Sequence, residues 1–291
     1  MKSWGRLITA MVTPFNENLE VNYELGIELA NRLVNEGTTA LVICGTTGEG
    51  STLSAEEREN LFSNIKENVR VPVIAGVGTN STAATIENAK RAVACGVDGL
   101  LVVAPYYNKP DQDSLYEHFK AVAGAVETPI MLYNVPGRTG CNIAPETIER
   151  LAKIENIVAL KEASGNIVQL SEAVKRTPSD FLVYTGDDGL TLPSLSVGAY
   201  GVVSVAAHVV GTKMMEMMNN FLRGNTEKAT EIHLQLLDIF NGLFVVSNPI
   251  PVKAALNMMG VRVGELRLPL TAAKPAVKAE IQRHMRKLDL V

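Results

Sequence analysis

Lys161 ends the apolar run Ile157-Val-Ala-Leu, and a Ser164-Gly165-Asn166 turn leads from it into a helical segment. The run has no helical spacing and reads as a strand buried on both faces. Burial disfavours a charged amine and pulls its pKa down. An ordinary lysine is about 0.1 % or less unprotonated at pH 7, so a neutral amine needs such surroundings. Facing a pocket, that amine can attack a carbonyl carbon and form a Schiff base. The stretch taken alone has a second reading, a side chain that snorkels out of the strand end to pair with Glu162.

Other apolar runs end in groups that suit such an amine. Gly45-Thr46-Thr47-Gly48-Glu49 is a tight turn whose N–H groups and two hydroxyls can hold a carboxylate. It has the outline of a phosphate loop, but Ser51 stands where the lysine of such a loop belongs, which excludes a nucleotide site. Gly76-Val-Gly78 lacks a third glycine and reads as a turn. Pro105-Tyr106-Tyr107-Asn108 and Tyr133-Asn-Val-Pro-Gly-Arg138-Thr-Gly140 bring phenols and a guanidinium. Singly, tyrosines are core or interface residues and the arginine a surface one. Together with a lysine they fit carbinolamine chemistry, in which hydroxyls relay protons and arginine grips a carboxylate. Asp187-Asp188 reads as the cap of the next helix. The four histidines (His118, His208, His233, His284) have no ligand spacing, so neither a metal nor an organic cofactor is expected.

The elements that must position these groups repeat eight times. Apolar runs at Leu7–Val12, Ala40–Cys44, Val73–Val77, Gly99–Val103, Ile130–Tyr133, Ile157–Lys161, Phe181–Thr185 and Gly201–Val205 alternate with amphipathic stretches. Among the latter are Tyr23–Glu36, Ala55–Asn68, Thr82–Cys95 and Ser114–Val126. Ser54 and Ser81 read as helix caps, and Gly37, Gly96 and Gly198 as helix ends. This alternation predicts an α/β fold, a (β/α)8 TIM barrel, whose active site lies at the C-terminal ends of its strands. A doubly wound open sheet would need a glycine-rich first turn, and Thr13-Pro14-Phe15 is not one. Thr212–Arg223 would be the last barrel helix. Thr226–Val245, Pro251–Met259 and Thr271–Leu288 follow without intervening strands, broken at Asn248-Pro-Ile-Pro and Leu268-Pro269. The expected organisation is a catalytic barrel over 1–224 and a small C-terminal helical appendage over 225–291.

Composition narrows the class. Of 291 residues 46% are hydrophobic and 20% charged, which fits a globular protein with a large core. A net charge of -4 argues against a nucleic-acid partner. No apolar run nears the ~18 residues of a membrane helix, and the segment after Lys2 and Arg6 is too short for a signal peptide. Three scattered cysteines (Cys44, Cys95, Cys141) fit the reducing cytoplasm.

At Gly45-Thr-Thr-Gly-Glu49, Pro105-Tyr-Tyr-Asn108, Tyr133-Asn-Val-Pro-Gly-Arg-Thr-Gly140 and Lys161-Glu-Ala, and from Thr13-Pro14-Phe15 through to Asn248-Pro-Ile-Pro-Val-Lys253, the chain resembles the class I, pyruvate-dependent aldolase and lyase superfamily. Within it the likeness is to the dihydrodipicolinate synthase family and covers essentially the whole chain. The resemblance implies that Lys161 forms a Schiff base with pyruvate, whose enamine attacks L-aspartate 4-semialdehyde. The product, 4-hydroxy-tetrahydrodipicolinate, opens the diaminopimelate route of lysine biosynthesis. Tyr133, Thr46 and Tyr107 would form the proton relay, Tyr107 reaching into a neighbouring subunit. Thr47 and its turn would bind the pyruvate carboxylate, with Gly186 and Val203 completing that pocket, and Arg138 the carboxylate of the semialdehyde. The family's usual assembly, a homotetramer built as a dimer of dimers, implies at least a dimer. Of the site at which lysine-inhibited members bind lysine, Asn80 and Tyr106 are present. Ala55 and Arg58 stand in place of histidines, and Ala84 in place of a glutamate that pairs with the lysine ammonium. Weak or absent inhibition follows. An N-acetylneuraminate lyase or sugar-acid aldolase would share Lys161 and Tyr133, though neuraminate lyases usually carry serine at the position of Thr46. A non-catalytic barrel binding a small acid would have lost part of this set.

Overall fold

The computed structural model describes residues 4–291; Lys2 lies outside them. Eight parallel strands close into a barrel in sequence order: β1 (Leu7–Ala10), β2 (Ala40–Ile43), β3 (Val73–Gly76), β4 (Gly99–Val103), β5 (Ile130–Asn134), β6 (Ile157–Glu162), β7 (Leu182–Thr185) and β8 (Gly201–Ser204). The helices between and after them are α1 (Tyr23–Asn35), α2 (Ala55–Asn68), α3 (Thr82–Ala94), α4 (Gln112–Ala123), α5 (Pro136–Thr139), α6 (Pro145–Leu151), α7 (Ile167–Arg176), α8 (Thr191–Ser196), α9 (Ala207–Leu222), α10 (Thr226–Gly242), α11 (Ile250–Met258) and α12 (Pro275–Arg286). The strand–helix alternation thus folds as expected. No helix among the described residues is long and apolar enough to cross a membrane.

The helix ends follow local chemistry. Ser54 makes a capping box with Glu57, and Ser81 accepts from the Ala84 N–H. Gly37, Gly96 and Gly198 sit just beyond helix ends at φ of 109°, 76° and 96°, a region that costs a Cβ-bearing residue more. Several starts differ from the sequence reading: α12 begins at Pro275 rather than Thr271, and α11 and β7 are each displaced by one residue. α4 begins at Gln112 rather than Ser114, because Asp111 caps it by accepting from the Ser114 N–H at 2.8 Å. α9 begins at Ala207 rather than Thr212, with non-helical backbone at Val210. The break at Val210 separates a short buried turn, residues 207–209, from the longer helix that runs on near the expected start.

Side chains alternate across a strand with a period of two. One apolar cluster gathers the inward positions: Ile8 and Ala10, Ala40 and Val42, Ile74, Leu101, Met131 and Tyr133, Ala159, Tyr184 and Val203. A larger cluster lies between the strands and the helices. Lys161 is two residues past Ala159, so the same alternation turns it into the barrel. Tyr133 pairs with Lys161 in the β5–β6 register, and Tyr184 pairs with Lys161 in the β6–β7 register. The outward partners Asn134 and Glu162 pair likewise. Glu162 accepts from Asn134 Nδ2 at 3.0 Å, Gln169 Nε2 at 3.0 Å and the Ser164 N–H at 2.8 Å. Glu162 is therefore held behind the sheet and does not serve as the partner of Lys161.

Candidate active site

At the C-terminal ends of the strands lies a cavity of about 400 Å³ lined by Thr46, Thr47, Tyr133, Arg138, Lys161, Gly186 and Asp187, among others. A larger cavity of about 660 Å³ lies between Phe15, α11 and the chain after it. Its buried cation Lys253 is already paired with Glu49, so the smaller cavity holds the reactive groups.

Lys161 is 6% exposed, and its ammonium lies 4.2 Å from the centroid of the Tyr133 ring. Burial lowers its pKa from 10.5 to about 8; the Asp188 charge opposes that and the Arg138 charge reinforces it. Space for the amine depends on Gly186, where an added Cβ would stand 2.8 Å from Lys161 Cε and 2.7 Å from Ala163 Cβ. Burial raises the pKa of the Tyr133 phenol, while the Arg138 charge and a hydrogen bond from Thr46 lower it. Two of the three expected relay residues, Thr46 and Tyr133, thus share the cavity of Lys161.

Thr46 and Thr47 occupy the turn after β2. The N–H groups of Glu49 and Gly50 bond back to Thr46 O and Gly45 O, and among the described residues those of Thr46 and Thr47 have no backbone acceptor. The Thr47 hydroxyl accepts from Asn248 Nδ2 at 2.8 Å. Arg138 stands on the short α5, begun by Pro136 and ended at Gly140 with φ 75°. It lines this cavity and a second one of about 350 Å³ with Ser51, Arg58, Thr79 and Tyr106.

Other expected residues lie apart. Tyr107 is 88% exposed at φ 76°, in the loop after β4, and does not line the cavity of Lys161. Val203 is buried in the barrel interior, while Val205 lines the cavity. Asn80 receives a hydrogen bond on its backbone carbonyl from Asn108 Nδ2 at 2.9 Å, next to Thr79 of the 350 Å³ cavity rather than in the site of Lys161.

The aspartate pair divides its work. Asp187 caps the short turn Asp188–Leu190 by accepting from the Gly189 N–H at 2.9 Å. Asp188 is not a cap: it is 1% exposed and accepts from Ser204 Oγ and from the Val205 and Ala206 N–H groups at 3.1 and 2.8 Å. Burial raises its pKa to about 6 against those hydrogen bonds. Two adjacent aspartates look alike as caps, and only the closure of β7 against β8 separates them. The sequence reading also missed Phe240, Asn241, Phe244 and Asn248, which line the cavity from α10 and the chain after it. Asn248-Pro-Ile-Pro marked a helix break and gave no sign that the break faces the site.

A closed parallel barrel with a buried lysine at its C-terminal mouth, beside a tyrosine, a threonine pair and an arginine, is the architecture of a Schiff-base-forming enzyme. The model of the dihydrodipicolinate synthetase family matches residues 3–288. The chain is 52% identical to the 4-hydroxy-tetrahydrodipicolinate synthase of Cyanothece sp., over 100% of both chains. It is 56% identical to that of Heliobacterium modesticaldum, over 93% of this chain and 91% of the other. Among solved structures, dihydrodipicolinate synthase from Bacillus anthracis superposes with a TM-score of 0.97 at 47% identity, covering 98% of this chain and 99% of that one. The enzyme from Cyanidioschyzon merolae with lysine bound gives 0.97 at 46% identity, covering 99% of each. The chain belongs to the dihydrodipicolinate synthetase family, and it is an enzyme.

Proposed function

We propose that the chain condenses pyruvate with L-aspartate 4-semialdehyde, through a Schiff base on Lys161, to give 4-hydroxy-tetrahydrodipicolinate. The observation that carries the site assignment is the amine of Lys161, buried at the barrel mouth and held at a pKa of about 8. In this reading Thr47 and the N–H groups of its turn take the pyruvate carboxylate, which places the ketone carbon against the amine. The lysine nitrogen adds to that carbon, and the resulting carbinolamine loses water to become the iminium. Tyr133, with Thr46, hands protons to the departing hydroxyl and takes one as the methyl group becomes the enamine carbon. The enamine forms a carbon–carbon bond to the aldehyde, whose oxygen is protonated. The semialdehyde's own amine then displaces Lys161 as the product cyclises.

Arg138 is assigned to the carboxylate of the semialdehyde, and its guanidinium suits bidentate capture. Gly186 leaves room for the lysine, and Val203 belongs to the strand that closes the pyruvate pocket. The exposed Tyr107 completes the relay in a neighbouring copy, which makes the working form at least a homodimer and, as the family suggests, a tetramer. The ordinary charge balance and the three free cysteines support work in the cytoplasm.

The test offers aspartate semialdehyde and N-acetylmannosamine in parallel with pyruvate, quenches with borohydride and maps the labelled peptide. Turnover of the semialdehyde with pyruvate fixed on Lys161, and no label on Lys161→Ala, is the expected result. Label on the Lys161→Ala protein refutes the assignment. Trapping without semialdehyde turnover moves the chain to a sister aldolase.

A further inference from the structure

The turn assigned to pyruvate is held from outside its own strand. Glu49, two residues past Thr47, has a side chain 1% exposed and a φ of 52°. A non-glycine residue in that region is strained and persists only where its surroundings over-determine it. Here they do. Glu49 Oε1 accepts from Lys253 Nζ, 204 residues away on α11, at 2.8 Å, and Glu49 Oε2 accepts from the Arg267 N–H at 3.0 Å. Lys253 also donates to Glu265 O at 2.7 Å and lies 4.2 Å from the centroid of the Phe15 ring. Asn248, just before α11, donates to Thr47 itself. From the barrel side Thr13 Oγ1 donates to Gly48 O at 2.6 Å.

We propose that Glu49 and Lys253 are positioning residues whose buried pair fixes the Thr46–Gly48 turn to α11 and thereby sets how well the first substrate's carboxylate is held. This rests on the reading that the turn binds pyruvate. Neither side chain lines the cavity of Lys161, so both act through the turn. Both groups are buried, so removing one partner leaves the other with only a backbone hydrogen bond in place of its ion pair. The relay's Tyr133 and the amine of Lys161 stand on β5 and β6, outside this turn. Slackening the tether therefore shifts Thr47 and the turn's N–H groups more than it shifts the proton relay. Pyruvate capture should suffer while the aldehyde half of the reaction continues.

Steady-state kinetics and pyruvate-dependent borohydride trapping on the full-length protein test this. In a reaction that proceeds through a covalent enzyme form, kcat/KM for each substrate reports its own half. Glu49→Gln and Lys253→Met are each expected to lower kcat/KM for pyruvate at least about tenfold, with half-saturating pyruvate for trapping rising in step. The value for aspartate semialdehyde should stay within about twofold. Should either single variant fail to fold, the double variant Glu49→Gln/Lys253→Met leaves no unpaired charge, and it is expected to fold with the pyruvate defect intact. A folded variant with a lowered Tm and wild-type pyruvate dependence overturns the proposal. So does an equal loss for both substrates. Wild-type protein that traps no pyruvate removes the reading on which the proposal rests, and that control separates the two failures.

Discussion

The acid limb of the pH profile should report Lys161. Its pKa, lowered by burial to about 8, leaves about 9 % of the amine neutral at pH 7, against about 0.03 % for a lysine at 10.5. That is a gain of roughly 300-fold in the attacking species, for a cost to the ammonium on the order of 3 kcal/mol. The sign is fixed by which form reacts. As pH rises through 8 the neutral amine accumulates, so kcat/KM for pyruvate should climb about tenfold per pH unit below 8 and level above it. Asp188 supplies the second half of the test. Its carboxylate, held by Ser204, Val205 and Ala206, favours the charged lysine. Asp188→Asn should therefore move the limb to lower pH while lowering the plateau, because the iminium is again a cation and loses the same field. The assay is the initial rate of borohydride trapping at subsaturating pyruvate between pH 5.5 and 10 (roughly the range the lysine spans). A limb that continues to rise past about pH 9.5 would show an ordinary, solvated lysine and refute the argument from burial. An upward displacement in Asp188→Asn would refute the assigned sign.

Arg138→Ala should cost on the order of 2–5 kcal/mol in use of the semialdehyde, a fall of about 30-fold or more in its kcat/KM, while pyruvate still labels Lys161; unchanged semialdehyde kinetics would make the arginine structural. Turnover measured over rising L-lysine should hold into the millimolar range. Ala84 offers no carboxylate to the lysine ammonium, and Arg58 adds a positive charge to the cavity that Tyr106 lines. Inhibition at micromolar lysine would refute that.

The sequence by itself determined the eight strands, because buried parallel strands are continuous apolar runs with turn residues between them. It also named the candidate groups at their ends: Lys161 and Tyr133 close their runs, and Thr46 and Arg138 follow theirs, so a barrel topology suffices to bring them to one face. Local capping signals at Ser54, Ser81 and the terminal glycines were legible because each is satisfied within a few residues. What only the tertiary structure decided involves partners far apart along the chain. Asp188 differs from Asp187 through donors on β8, Glu162 is turned from Lys161 by the alternation of its strand, and Glu49 finds Lys253 across 204 residues. Burial and charge pairing depend on what packs opposite, and no local pattern carries that information. The same reason hid the share of the C-terminal helices in the cavity: Phe240, Asn241, Phe244 and Asn248 reach it only once α10 and the chain after it are laid at the barrel mouth.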